Sequence, residues 1–157
     1  MFYRYLPSPI GPLLLAGDEQ GLRQLYMDNH PYWTPPPQWI EAGNQLDTVC
    51  RQLDEYFEGK RECFDVPLAP QGTAFQQRVW QALLEIPFGH TWSYARLAEH
   101  IGNPKAVRAV GTANGANPIS IIIPCHRVIG SNGTLTGYGG GLERKQALLQ
   151  LEGAWLI

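Results

Sequence analysis

Gly102-Asn103-Pro104 stands between two stretches of helical spacing and dictates most of what the second half of this chain can become. A glycine suits the left-handed position that closes a helix, and a proline suits the first turn of the next one, where an N–H is not needed. Before the turn, "SYARLAEHI" opens on Ser93, a good capping residue. After it, "KAVRAVGTAN" reads as a helix started by Pro104. Two short helices across a tight glycine turn make a helix-turn-helix candidate, although an ordinary helical hairpin has the same pattern. Upstream, "TAFQ" at 73–76 is a capping box, and Phe75, Val79, Ala82, Leu83 and Ile86 continue it at helical spacing.

The helix after the turn carries small residues at Ala106, Val107, Ala109, Gly111, Ala113 and Gly115, with Arg108 its one long cation. A major-groove reader displays polar side chains toward base edges. Small residues instead let a helix backbone approach a narrow surface closely, as the minor groove requires. Tight packing on another helix, with Arg108 simply solvated, fits the same residues. The pattern leaves both open.

The first half has a different character. Short β-like runs cover 2–6, 12–16 and 21–27, with "GDEQG" as a turn, and "NHPYWTPPPQ" reads as a proline-rich loop. Residues 39–57 carry apolar side chains at 46, 49, 50, 53 and 57, one face of an amphipathic helix that takes Cys50 into the core. A linker near 67–72 divides the chain into expected domains 1–68 and 69–157. The fold class expected is α+β: a small αβ domain with an antiparallel sheet, then a mainly helical domain built on the helix-turn-helix.

Charge follows the same division. Residues 1–68 hold 5 basic and 10 acidic side chains, net −5, whereas residues 69–157 hold 7 and 4, net +3, so only the second half suits a polyanion. At 157 residues, 44% hydrophobic and 17% charged, the composition is that of a globular protein. No apolar run approaches the ~20 residues that cross a bilayer, and the start lacks the order of a signal peptide. The expected location is cytoplasmic, with no membrane partner.

The chemistry concentrates in "IPCHRVIG", where an apolar run ends on Cys125, His126 and Arg127. Cys125 could be core filler, half a disulfide, a metal ligand or a nucleophile. Three widely spaced cysteines, Cys50, Cys63 and Cys125, argue against a disulfide framework, and no Cys-x-x-Cys or paired histidine spacing suggests a metal. A thiolate is the nucleophilic form, and a neighbouring imidazole or cation makes it available. In an extended chain adjacent side chains point apart, so a Cys125–His126 proton transfer needs a bend or a bridging water. An imidazole base also needs a carboxylate to orient it, and only Glu85, Glu99, Glu143 and Glu152 occur in this half. On these residues alone, packing and catalysis both remain open. "GYGGG" is no phosphate loop, since the Gly-Lys-Ser/Thr ending is missing, and Asn132-Gly133 reads as a turn. No cofactor is expected.

The runs "GTAFQQRVWQALLEIPFGHTWSYARLA", "GNPKAVRAVGTANGANPISIIIPCHRVIG" and "GTLTGYGGGLERKQALLQLEG" closely resemble the O6-alkylguanine-DNA alkyltransferases over residues 72–153. The first half is similar to the family's variable, ribonuclease H-like αβ domain through "SPIGPLLLAGDEQGLRQL", without the cysteine and histidine zinc set of some relatives. The resemblance implies a winged helix-turn-helix-like second domain and a single-use repair reaction on double-stranded DNA containing O6-alkylguanine. O4-alkylthymine is a further substrate to consider. It implies minor-groove binding by a monomer, several copies of which can line up along DNA. By the same resemblance Cys125 is the alkyl acceptor, His126 its base through a water, Glu152 the orienting carboxylate and Asn117 the brace of the turn. Tyr94 is the proton donor to the guanine leaving group, and Arg108 fills the gap left by the extruded nucleotide. Asn103, Ala106, Val107, Ala109, Gly111 and Thr112 meet the DNA. Val128, Tyr138 and Gly139 line the base pocket, where some relatives carry Ser in place of Gly139. The alternative is a relative that binds the lesion without accepting the group; such proteins lack the cysteine, and Cys125 argues against it. A Cys-His hydrolase or thiol sensor would leave Arg108 and the small-residue helix unexplained.

Overall fold

The apolar runs near the start become three strands in a computed structural model that describes residues 1–154: β1 (Phe2–Leu6), β2 (Leu13–Asp18) and β3 (Gly21–Met27). β2 lies between β1 and β3 and is antiparallel to both. Leu13, Leu14 and Leu15 are fully buried, so both faces of this central strand leave water. A strand in that position needs a continuous apolar run, and "LLLA" supplies one. The β2–β3 pairing slips at Ala16/Gly17, where a Cβ on Gly17 would lie 2.6 Å from the Gly21 carbonyl oxygen. Only glycine fits that bulge.

A fourth strand, β4 (Ile40–Glu41), pairs parallel with β1 at the sheet edge. It adds a parallel edge to the expected antiparallel sheet and corrects one expectation, the single helix over 39–57. The Ile40 N–H donates to the Met1 carbonyl at 3.2 Å and the Ala42 N–H to Tyr3 at 2.7 Å, so this backbone is spent on the sheet. Helix α1 (Asp47–Phe57) begins only afterwards and buries Val49, Cys50, Leu53 and Tyr56. The Leu22 N–H donates to Pro67 at 2.9 Å, and the Ala69 N–H to Leu22 at 2.8 Å, which holds the chain beside β3 up to Ala69. The molecule divides into two compact units, Met1–Pro70 and Gln71–Ile157.

In the second unit, α2 (Ala74–Leu83) starts on a complete capping box: Thr73 Oγ1 accepts from the Gln76 N–H at 3.1 Å, and Gln76 Oε1 accepts from the Thr73 N–H at 2.9 Å. Helix α3 (Tyr94–His100) is capped by Ser93, and Gly102 follows it with φ +79°. Helix α4 (Val107–Gly115) begins later than its proline suggests, with Ala106 at the cap. An Ala106 N–H to Asn103 carbonyl bond of 3.0 Å makes Pro104 part of the turn instead of the first helical residue. Val110 and Ala113 face inward, and the Trp80 indole N–H donates to the Ala113 carbonyl at 2.9 Å, tying α2 to α4. β5 (Trp92–Ser93) pairs parallel with β6 (Val128–Ile129), which sets the start of α3 beside the chain just past Cys125. Helix α5 (Leu142–Leu151) turns Lys145, Leu148 and Leu149 inward. Among the described residues no helix is long and apolar enough to cross a membrane.

Thr73→Ala removes one arm of the capping box at an exposed position. It should lower the unfolding free energy by about 1 kcal/mol, read from the midpoint of a urea titration with unchanged slope.

Candidate active site

The buried isoleucines 119 and 121–123 deliver Cys125 through two tight turns. The first is centred on Ile121, which has φ +72° and a 2.8 Å bond from the Ile122 N–H to the Ser120 carbonyl. That is a γ-turn of the rare, strained kind, on a β-branched residue. The second is centred on Pro124 (φ −82°, ψ 64°), with the Cys125 N–H donating to Ile123 at 2.8 Å. Asn117 braces both. Its Oδ1 accepts from the Ile119 N–H at 3.0 Å, and its Nδ2 donates to the Ile119 and Ile123 carbonyls at 3.3 and 2.8 Å.

The chain then bends into a short 3₁₀ turn, Cys125–Arg127, where the sequence alone offered extended backbone or a bend. Even so, no direct Cys125–His126 bond forms. The imidazole faces the end of α5, where its Nε2 meets Glu152 Oε2 at 2.7 Å. Arg127 grips the same carboxylate, Nε to Oε1 at 2.8 Å and Nη2 to Oε2 at 3.0 Å, while its Nη1 donates to the Ile86 carbonyl at 2.7 Å. His126 is fully buried and Glu152 nearly so.

The electrostatics assign the protons. Burial pushes the Glu152 carboxyl up, but hydrogen bonds and charge from His126 and Arg127 outweigh it and hold the group at about 2. It is therefore a carboxylate, and Nε2 carries the proton that bonds to it. Burial pushes His126 below the ordinary histidine value, against the pull of Glu152, so the ring is neutral at pH 7. Its Nδ1 is buried and has no hydrogen-bond partner among the described residues, a free lone pair in the interior. Cys125 is 5% exposed, and burial pushes its thiol up, opposed by the Asn117 amide and the Lys145 ammonium. The resting sulfur is a thiol with a neutral base in reserve.

Lys145 was missed in the sequence. It is fully buried, with Nζ donating to the Val128 carbonyl at 2.6 Å and the Thr136 carbonyl at 3.2 Å. Burial lowers it to about 8, against the attraction of Cys125. The signal was present, because Lys145, Leu148, Leu149 and Glu152 follow the i, i+3, i+4, i+7 spacing of one helix face. Arg127 went unassigned for the opposite reason, since nothing local marks a guanidinium as turned inward. Val128, expected to line the base pocket, has its carbonyl held by Lys145.

The remaining residues fall on two surfaces. Tyr94 is half-buried, its hydroxyl 2.8 Å from Thr136 Oγ1. The Tyr138 hydroxyl is buried; burial raises it well above the phenol value, the proximity of Cys125 raises it further, and a hydrogen bond with Ser120 works against both. Gly139 has open space where a Cβ would stand, so serine would fit. On α4 and its approach, Asn103, Val107, Arg108, Ala109 and Thr112 are exposed, and Ala106 and Gly111 half-buried. The Arg108 guanidinium makes no hydrogen bond or ion pair among the described residues. Helix packing uses Val110 and Ala113, leaving the exposed small residues and Arg108 unspent. No group of three or more His, Cys, Asp or Glu among the described residues could hold a metal ion.

A buried thiol backed by a carboxylate-held neutral imidazole, in a unit whose small-residue helix faces solvent, has the make-up of a thiol group-acceptor. Comparison with known proteins specifies it. The family description "6-O-methylguanine DNA methyltransferase, ribonuclease-like domain" matches residues 1–70, and "6-O-methylguanine DNA methyltransferase, DNA binding domain" matches residues 74–154. A methylated-DNA–protein-cysteine methyltransferase of Methanosarcina acetivorans is 54% identical over 155 residues, covering 98% of this chain and 99% of that protein. A relative of the same name in Mycobacterium bovis is 53% identical over 156 residues, covering 96% and 91%. The crystal structure of Mycobacterium tuberculosis OGT in complex with DNA superposes with a TM-score of 0.91 at 53% identity, covering 97% of this chain and 93% of that one. The chain belongs to the 6-O-methylguanine DNA methyltransferase family.

Because the folded Glu152 carboxyl sits far below its unfolded value, the stability it contributes is fully present above about 4.5 and is lost as pH falls toward about 2. Glu152→Gln should abolish that part of the pH dependence. At pH 7 it should cost about 3–5 kcal/mol by urea unfolding, because Arg127 stays buried without its counter-charge.

Proposed function

We propose that this protein repairs alkylated double-stranded DNA by moving the alkyl group from O6-alkylguanine irreversibly onto Cys125. The second unit carries the chemistry and the DNA contact; the first is its ribonuclease-like companion. The observation that carries the reading is the buried His126 ring, fixed at Nε2 by Glu152 with Nδ1 left free beside the thiol's own turn.

The O6 substituent lies within the base stack, so the nucleotide must be extruded, at a cost of a few kcal/mol that is smaller for a poorly paired lesion. Arg108, long and uncommitted on exposed α4, enters the space the base leaves. The small residues Ala106, Val107, Ala109, Gly111 and Thr112, with Asn103 in the turn, let the helix backbone lie close along the minor groove. The base passes to the Cys125 side, between Val128 and the 131–141 segment that contains Tyr138 and Gly139. The thiol proton moves through one water to His126 Nδ1, and Glu152 stabilises the imidazolium that results. Sulfur attacks the alkyl carbon, forming the S–C bond as the C–O6 bond breaks. The electron pair stays on guanine, which takes a proton from Tyr94. No residue here can cleave the thioether, so each molecule acts once, as a monomer. A reducing cytoplasm suits a protein whose three cysteines are all free.

Incubation with a duplex containing O6-methylguanine should add the mass of one methyl group, located on Cys125, and Cys125→Ser should abolish it. DNA binding without mass gain would favour a lesion-binding protein. Arg108→Ala should slow transfer from duplex at least tenfold more than transfer from the free alkylated base, because it acts on extrusion alone; equal slowing would remove the finger role.

A further inference from the structure

Tyr94 reaches the site from the first residue of α3, and its hydroxyl does not end in solvent. It lies 2.8 Å from Thr136 Oγ1. Two further contacts define this pair. A Cβ on Gly111 would be 3.7 Å from the Tyr94 ring, so the ring stands against α4. The Thr136 backbone is anchored in turn, its carbonyl accepting from the buried Lys145 ammonium that also holds Val128. The phenol is thus set between the DNA-facing helix and a threonine fixed to the same lysine as the wall of the base pocket.

We propose that Thr136 is a positioning residue for alkyl transfer: its hydroxyl donates to the Tyr94 oxygen and stabilises the charge that builds there as Tyr94 gives its proton to the departing guanine. The inference rests on the reading of Tyr94 as proton donor. A phenol has one proton and acceptor lone pairs, so it can donate to the base and accept from threonine at once, and each bond strengthens the other. Before a base arrives, either hydroxyl of the pair can donate. Once Tyr94 donates to guanine, Thr136 is the donor to Tyr94, and after transfer it faces a phenolate. Hydrogen bonds to charged groups are worth roughly twice those between neutral ones, so the contact is stronger in the transition state than at rest. The phenolate then regains a proton from water.

The test measures single-turnover transfer from O6-methylguanine duplex to Cys125 for the parent, Thr136→Val, Thr136→Ser, Tyr94→Phe and Tyr94→Phe/Thr136→Val. Valine keeps the shape without the O–H and should slow transfer about tenfold; serine should restore it to within about threefold; the double variant should be no slower than Tyr94→Phe. Alkylation of Cys125 by iodoacetamide, read at the Cys125 peptide, should be the same in all five, because iodide leaves without a proton. Parent-like transfer by Thr136→Val, failure of serine to rescue, further slowing in the Tyr94→Phe background, or altered iodoacetamide labelling overturns the inference. Parent-like transfer by Tyr94→Phe overturns the proton-donor reading itself. A slow Tyr94→Phe beside a parent-like Thr136→Val removes the role of Thr136 alone.

Discussion

One carboxylate organises the second unit. Glu152, just past the end of α5, is held by the Arg127 fork and by His126, so a helix terminus, a 3₁₀ turn and the Ile86 carbonyl meet at a single buried charge. A charge taken out of water at that depth is tolerated only when its partners are complete. Completing them fixes the imidazole's orientation and leaves Nδ1 as the only lone pair the ring can offer. The imidazole is oriented by the same bonds that close the fold, and stability and the placement of that ring cannot be adjusted separately there.

The thiol is treated differently. It is buried, its proton is held tightly, and the cation that acts on it, Lys145, spends hydrogen bonds on the Val128 and Thr136 carbonyls. A permanently ionised cysteine would react with any small electrophile it met. Keeping the proton in place until a base can take it confines reactivity to substrates that enter the site, which matters for a protein whose product bond cannot be reversed.

Much of this was legible in the residues, and the exceptions have physical reasons. The Thr73–Gln76 capping box, the Ser93 cap and the Gly102 stop are local devices, complete within four residues, and they appear as read. β4 was lost inside a helical pattern because only two residues pair, and they do so with a strand some forty positions earlier. Pro104 pointed to a helix start that Asn103 intercepted with a turn. The Glu152–His126 contact came from resemblance, since nothing in a sequence brings together positions 26 apart. Lys145 shows the opposite failure: its spacing with Leu148, Leu149 and Glu152 marks one helix face, but lysine is so rarely interior that nothing in the residue itself points inward.

Ile121 occupies the left-handed region without being glycine, and the Asn117 amide spans the loop that contains it. Backbone in that region lies a kilocalorie or two, in order of magnitude, above its relaxed form. The connector between α4 and the sulfur therefore behaves like a drawn latch rather than a passive link. Whatever unfastens the amide lets the peptide swing toward a more comfortable shape, and the sulfur's address in the molecule goes with it.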